Sequence, residues 1–328
     1  MIHARYWIMP SMLAIAGLIV AACLTSVCCL TGKAATGAPA AQSFRWWKDA
    51  LTGSRLIAAS LAGFDPNPRF YQEPTDEQLR TALAKTRALF DGLVFYGTST
   101  YTLRVLAEAR RQAFRTVVLG AWNPRDEKEL ALACEAAKQF PEMACLVVLG
   151  NEGLLTRRYE EADLEKAAAF VRQDCPGLPV TTTEPIDSYG DDFLLRFGDG
   201  PLAPNVHPWF SHQREPQAAV KWVFERVHTL QKLSGGRFVL VKETGLPSGG
   251  DPEASPEGQA AFWVDLFKAP PQPGVALACF ENADLEWKQR DSGLAVESHW
   301  GFWTADGIPK PVVGALTQLW GTKPPQAP

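Results

Sequence analysis

Short apolar runs alternate with amphipathic helical stretches eight times along this chain, and that alternation leaves few folds open. The runs are Leu56 to Gly63, Leu93 to Tyr96, Thr116 to Trp122, Cys145 to Glu152, Val180 to Glu184, Asn205 to Phe210, Phe238 to Glu243 and Val275 to Glu281. Each is short, bounded by turn residues and mostly rich in β-branched or aromatic side chains, which reads as a buried strand. Helices are predicted between them. One opens on the capping box Thr75-x-x-Gln78 and runs to about Phe90; others cover Thr100 to Ala113, Asp126 to Phe140, Glu160 to Asp174, Asp191 to Phe197 and Glu215 to Leu233. Gly235-Gly236 stops the last of these, Ser255-Pro256 opens the next, and Val312 to Trp320 closes the series. Strands alternating with helices build a parallel sheet, and eight units close it into a (β/α)8 TIM barrel of the α/β class.

With 46% hydrophobic and 21% charged residues and a net charge of -4, the 328-residue chain has an ordinary globular composition. It is not that of a nucleic-acid binder, which would be basic. The N-terminus stands apart. From Tyr6 to Gly32 there is no charged side chain, between Arg5 and Lys33. That length suits a membrane-spanning helix or a long export signal. Val20-Ala21-Ala22-Cys23 resembles a bacterial lipobox, which would make a lipoprotein lipidated at Cys23, and Ala38-Pro39-Ala40 is an A-x-A cleavage pattern. All three readings put the remainder outside the cytoplasm, at the cell envelope or beyond it. The organisation expected is therefore a signal or anchor over residues 1–33, a linker over 34–50 and a catalytic barrel over 51–328, monomeric and tethered to a membrane. Export permits disulfides. Of the cysteines beyond the leader, Cys145 and Cys175 form a candidate pair, with buried free thiols as the other reading for these and for Cys134 and Cys279.

In such a barrel the active site lies at the C-terminal ends of the strands. The fourth run, Cys145-Leu146-Val147-Val148-Leu149-Gly150-Asn151-Glu152, ends on a carboxylate. The seventh, Val239-Leu240-Val241-Lys242-Glu243, does the same before Gly245 and Pro247 turn the chain away. Two glutamates facing each other across a barrel mouth are what glycoside hydrolysis requires, one carboxylate ionised and one protonated. Asn151 is placed to hydrogen-bond a sugar 2-hydroxyl. Glu184 ends the fifth strand and is a candidate for a sugar hydroxyl or a helix cap. His207 is a candidate sugar contact in the sixth. Eleven Trp are many for this length, and Trp122, Trp209, Trp287 and Trp300 are candidates for stacking on the apolar faces of sugars.

Four motifs in order, Leu149-Gly150-Asn151-Glu152, Val206-His207-Pro208-Trp209-Phe210, Glu243-Thr244-Gly245-Leu246-Pro247-Ser248 and Glu297-Ser298-His299-Trp300-Gly301-Phe302-Trp303, resemble glycoside hydrolase family 17. That resemblance implies a retaining β-1,3-glucanase or transglycosylase, with Glu152 as acid/base and Glu243 as nucleophile. It also implies a Tyr near the nucleophile, matched by Tyr96, and a polar sugar-binding group, matched by Glu281, Glu286 and Lys288, with Glu297 beside them. The chain departs from the family at Leu246, where Trp is usual, and around Ala59 to Phe64.

No metal or cofactor is expected. The five His are scattered without ligand spacing, Gly249-Gly250 lacks the Lys of a phosphate loop, and there is no G-x-S-x-G elbow. The function expected is hydrolysis of β-1,3-linked glucan, with glucan transglycosylation as the alternative. A non-catalytic, envelope-held glycan-binding barrel is the competing class.

Overall fold

Period-two alternation in the short runs sorts their side chains onto two faces of a parallel sheet. The computed structural model describes residues 46–60, 73–190 and 192–321. The expected leader of residues 1–33, including Cys23, and the Ala38-Pro39-Ala40 site lie outside the described residues. The strands are β1 (Leu56–Ala58), β2 (Gly92–Val94), β3 (Thr116–Ala121), β4 (Ala144–Leu149), β5 (Val180–Thr182), β6 (Val239–Val241) and β7 (Val275–Cys279). All pair in parallel in the order β5-β4-β3-β2-β1-β7-β6, so the first and last strands are neighbours.

The segment 202–206 joins the two edges. Leu202 bridges to Val239, and Asn205 bridges to Pro185 on one side and Glu243 on the other. Backbone bonds run from Asn205 to Glu184 (3.0 Å) and from Val206 to Glu243 (2.8 Å). Seven parallel strands with helices, and bridges at the sixth position in place of a regular strand, are consistent with a (β/α)8 barrel. The strand expected over Asn205 to Phe210 does not form: Pro201, Pro204 and Pro208 have no N–H for a ladder, and Trp209–Ser211 winds into a 3-10 turn.

The helices are α1 (Trp47–Gly53), α2 (Asp76–Arg87), α3 (Thr100–Arg111), α4 (Glu127–Gln139), α5 (Glu161–Asp174), α6 (Asp192–Arg196), α7 (Pro216–Leu233), α8 (Pro256–Lys268), α9 (Glu286–Ser292) and α10 (Pro311–Trp320). Thr75 and Gln78 make the reciprocal capping box of α2, and Asp126, Glu215 and Ser255 cap α4, α7 and α8 through their side chains. Among the described residues no helix is long and apolar enough to cross a membrane.

Two apolar clusters follow from the alternation. Ile57, Leu93, Val117, Val147, Val239 and Val241 point outward under the helices. Leu56, Val94, Val118, Leu146, Val148, Leu240, Ala276 and Ala278 fill the ring, together with Trp47 and Leu51 from α1. Helix α1 touches both β4 and β7, and the Trp47 ring meets Phe238, just before β6, edge-on at 5.2 Å. It therefore plugs the end of the ring opposite the catalytic mouth. The expected linker of 34–50 gives way here, because Trp47 to Ala50 belongs to this plug. Cys134, Cys145, Cys175 and Cys279 are buried and free; the candidate pair is not joined, since Cys145 belongs to the filling of the ring and Cys175 to the layer under the helices.

Candidate active site

Strand β4 ends at Leu149, and the chain turns sharply to present Asn151 and Glu152. Gly150 adopts φ +73°, where a Cβ would collide with Tyr159. Glu152 itself is left-handed at φ 52°, an uncommon backbone for a residue with a side chain. It is held there from both sides: its N–H donates to the Thr183 carbonyl at 2.9 Å, and its own carbonyl accepts the Thr156 hydroxyl at 2.6 Å. Glu184 supports the same loop from β5, accepting the N–H groups of Leu154 (2.8 Å) and Leu155 (3.2 Å) with its two oxygens. Both oxygens are used and the residue is fully buried. Glu184 is thus a support of this loop.

From β6 the alternation carries Lys242 into the ring and sets Glu243 at the rim. His207 Nε2 lies 3.0 Å from Glu243 Oε2, and Lys242 Nζ lies 3.3 Å from Oε1. Lys242 also donates to Asn151 Oδ1 at 2.7 Å. Asn205 donates to Glu152 Oε1 at 2.9 Å and faces Asn151 Oδ1 at 3.5 Å, its own oxygen accepting from Thr183 at 3.1 Å. One chain of polar contacts, Glu152–Asn205–Asn151–Lys242–Glu243, therefore links the two carboxylates in one mouth. A lysine ammonium can only donate, so the oxygen of Asn151 is committed to it, and its Nδ2 is what remains for a ligand.

The two carboxyls titrate in opposite directions. Burial and then the charge of Glu243 push Glu152 up, against the bond from Asn205. Burial would raise Glu243 as well, but Lys242, His207 and Lys288 outweigh it and hold its carboxyl well below the usual range. The Tyr96 hydroxyl is pushed up by burial first and then by Glu243. The Tyr96 ring covers the Lys242 ammonium at 3.8 Å.

The remaining expected residues divide. Glu281 is buried and ion-paired with Lys288 at 2.6 Å, and Glu297 lies near enough for Lys288 and His207 to offset the burial that raises it to about 7. Glu286 points away: its side chain is 72% exposed on α9 and pairs only loosely with Arg290. Trp300 is fully buried, its ring 5.3 Å from His207 and 5.7 Å from Phe280. It backs the site and offers no face to a sugar. Trp209 is buried too, under the Arg214 guanidinium at 4.7 Å. Both corrections have one cause, since a Trp in a motif near the rim fills the core when its neighbours leave a cavity for it. Trp122 is the exposed one, at 37%, with the Arg158 guanidinium 4.2 Å above its ring. Leu246, where the resembled family has Trp, is buried at 2%, so this departure alters packing rather than the open cleft.

Asn205 escaped the sequence reading because nothing in its neighbourhood marks it until β5 and β6 close on it. Lys242 had a signal, a lone charge inside an apolar run. A cavity of about 460 Å³ beside Glu184, Leu154 and Arg125 includes neither Glu152 nor Glu243. Among the described residues no cluster of His, Cys, Asp and Glu could hold a metal ion.

The family model for the BtgE/BtgC glycoside hydrolase domain matches residues 64–301. A glucan 1,3-beta-glucosidase of Arthroderma benhamiae is 25% identical over 251 residues, covering 67% of this chain and 81% of that protein. A probable beta-glucosidase btgE of Aspergillus clavatus is 26% identical over 234 residues, covering 67% of this chain but only 40% of that longer protein. Among solved structures, an endo-laminarinase from Formosa superposes with a TM-score of 0.68 at 17% identity, covering 85% of this chain and 91% of that one. A glycoside hydrolase family 17 beta-1,3-glucanosyltransferase from Rhizomucor miehei gives 0.63 at 18% identity, covering 83% and 97%. At these identities the structural likeness establishes the fold.

Proposed function

The chain belongs to the BtgE/BtgC glycoside hydrolase domain family, and from that premise we propose that it cleaves β-1,3-linked glucan with net retention. Glu243 attacks the anomeric carbon as the C1–O bond breaks. Glu152 gives its proton to the departing sugar oxygen. In the second half the Glu152 carboxylate takes a proton from water, whose oxygen bonds to C1 and releases Glu243. The observation that carries this reading is a pair of buried glutamates joined by one polar chain in one mouth, with surroundings that raise one and lower the other, as an acid and a nucleophile require. Asn151 Nδ2 is left to donate to the 2-hydroxyl. The β-1,3-glucan substrate is supported by the names of the Arthroderma and Aspergillus relatives and of the fold neighbours.

Incubation with laminari-oligosaccharides, read by chromatography of product lengths and by NMR of the first-formed anomer, tests the proposal. Shortened products of retained configuration are expected. Longer or branched products would instead assign the glycosyl-enzyme to a sugar acceptor, and inverted product would remove Glu243 from the nucleophile's role. We propose further that the domain works outside the cytoplasm, on the strength of the uncharged stretch from Tyr6 to Gly32. Reporter fusion after residue 50 and cell fractionation check this; a cytoplasmic reporter would reject it.

A further inference from the structure

The strand that delivers Glu243 carries a lysine where its pattern calls for an apolar residue. In Val239-Leu240-Val241-Lys242, the first and third side chains face the helices, and the second belongs to the apolar filling of the ring. Lys242 follows on that inner side, with its side chain 1% exposed. An ammonium in such a place is costly unless each of its donors finds a partner. Here each has one: Asn151 Oδ1 at 2.7 Å, Glu243 Oε1 at 3.3 Å and the face of the Tyr96 ring at 3.8 Å. These partners come from the loop after β4, from the end of β6 and from the end of β2. Among the described residues none of these three partners lies in a helix. A buried group whose partners are all residues of the cleft, and none of them structural, is placed for the cleft.

We propose that Lys242 is a positioning residue of the reaction, locking the Glu243 carboxylate beside the anomeric carbon and turning the Asn151 amide so that its nitrogen faces the sugar. This rests on the roles proposed above for Glu243 and Asn151. Methionine in its place would remove a desolvated ammonium but leave Asn151 Oδ1 without its donor and the buried Glu243 carboxylate with one partner fewer, so a loss of stability accompanies the substitution. The charged groups facing the ammonium are Glu243 on its own strand, Glu152 from β4 and Lys288 beyond β7. His207 meets the other oxygen of Glu243, a contact that does not run through Lys242.

The test compares Lys242→Met and Lys242→Gln with the wild-type protein. In Lys242→Met the acid limb of kcat/KM moves toward neutral by roughly one pH unit, and kcat on laminari-oligosaccharides falls at least about tenfold at temperatures where the variant is fully folded, with a lower Tm. Lys242→Gln keeps a donor for Asn151 but loses the charge; it is expected to show the same shift of the acid limb with KM nearer to wild type. An unchanged acid limb with unchanged kcat overturns the proposal. So does a loss of activity that only follows a loss of Tm, which is the mark of a structural residue. Carbon-13 NMR titration of the Glu243 carboxyl, assigned with Glu243→Gln, gives a readout independent of turnover. The midpoint should rise in Lys242→Met, and an unmoved midpoint refutes the placement. If the wild-type chain turned over no glucan yet the midpoint rose, the proposed function would fall while the role of Lys242 beside Glu243 stood.

Discussion

Glu152 and Glu243 carry the same side chain, and their neighbours push them apart. Around Glu243 stand Lys242 and His207; around Glu152 stand a neutral amide and the negative charge of Glu243. The expected consequence is a bell-shaped kcat/KM profile. Its acid limb should lie below the ordinary carboxylate range, where Glu243 begins to be protonated, and its alkaline limb above that range, where Glu152 loses its proton. Glu152→Gln is expected to remove the alkaline limb and to slow substrates with poor leaving groups by roughly 10² to 10⁴-fold. Activated aryl glycosides should suffer much less in the first step. Equal losses for both substrate classes, measured by initial rates, would deny Glu152 the acid role. The structure brings Asn151, Glu152, Glu243, His207 and Tyr96 to one mouth, at the ends of strands or bridges whose direction is set by local pattern. The surroundings of Trp300, Trp209, Glu184 and Glu286 depend on what lies opposite them.

The loop after β4 and helix α1 show how whole elements serve the site. Gly150 is required by its positive φ and by Tyr159, which would occupy the space of any Cβ. Tyr159 in turn anchors the loop, its hydroxyl accepting the N–H of Gly153 at 3.0 Å. Gly150→Ala is therefore expected to displace Asn151 and Glu152 together, lowering kcat by about 10²-fold, the scale of a 1 Å misplacement, while the near-UV circular dichroism of the barrel persists. Full activity in that variant would count against the loop geometry. Helix α1 is remote from the mouth, and its Trp47 is core. Trp47→Ala should cost about 3 to 5 kcal/mol in urea unfolding with KM unchanged in the folded fraction. A loss under about 1 kcal/mol would mean that the plug is not part of the cooperative unit. The eight-unit rhythm was readable from hydrophobic alternation and caps. The plug was not, because seven residues with two inward side chains are too few to show a period.

Across the molecule, several carboxyls are buried with incomplete compensation, and this shapes stability against pH. Glu184 and Glu297 are both raised from 4.5 to about 7, chiefly by burial. Between those values the folded protein retains protons that the unfolded chain has released, so stability falls as pH rises through this window. Glu243 has the opposite sign, but its depressed value means that its contribution is complete above the unfolded carboxylate range. The net expectation is a higher Tm at about pH 5 than at about pH 8, with a smaller difference in Glu297→Gln. Thermal melts followed by circular dichroism at several pH values measure it. A Tm that rises steadily toward pH 8 would contradict the assignment.

What the chain's order of residues determined by itself was local: strand and helix periods, their caps, the parallel α/β class, and the two glutamates set at strand ends. Backbone geometry and side-chain periodicity act within a few residues, so they are written where they act. Only the closed ring decided the rest. It brought segment 202–206 between β5 and β6 in spite of Pro204 within it and Pro201 and Pro208 beside it, set Asn205 against Glu152, buried Trp300 behind His207, and aimed Lys242 at Asn151 from 91 positions away. Burial, partner and charge environment are properties of what lies across the barrel, and no neighbour in sequence carries that information.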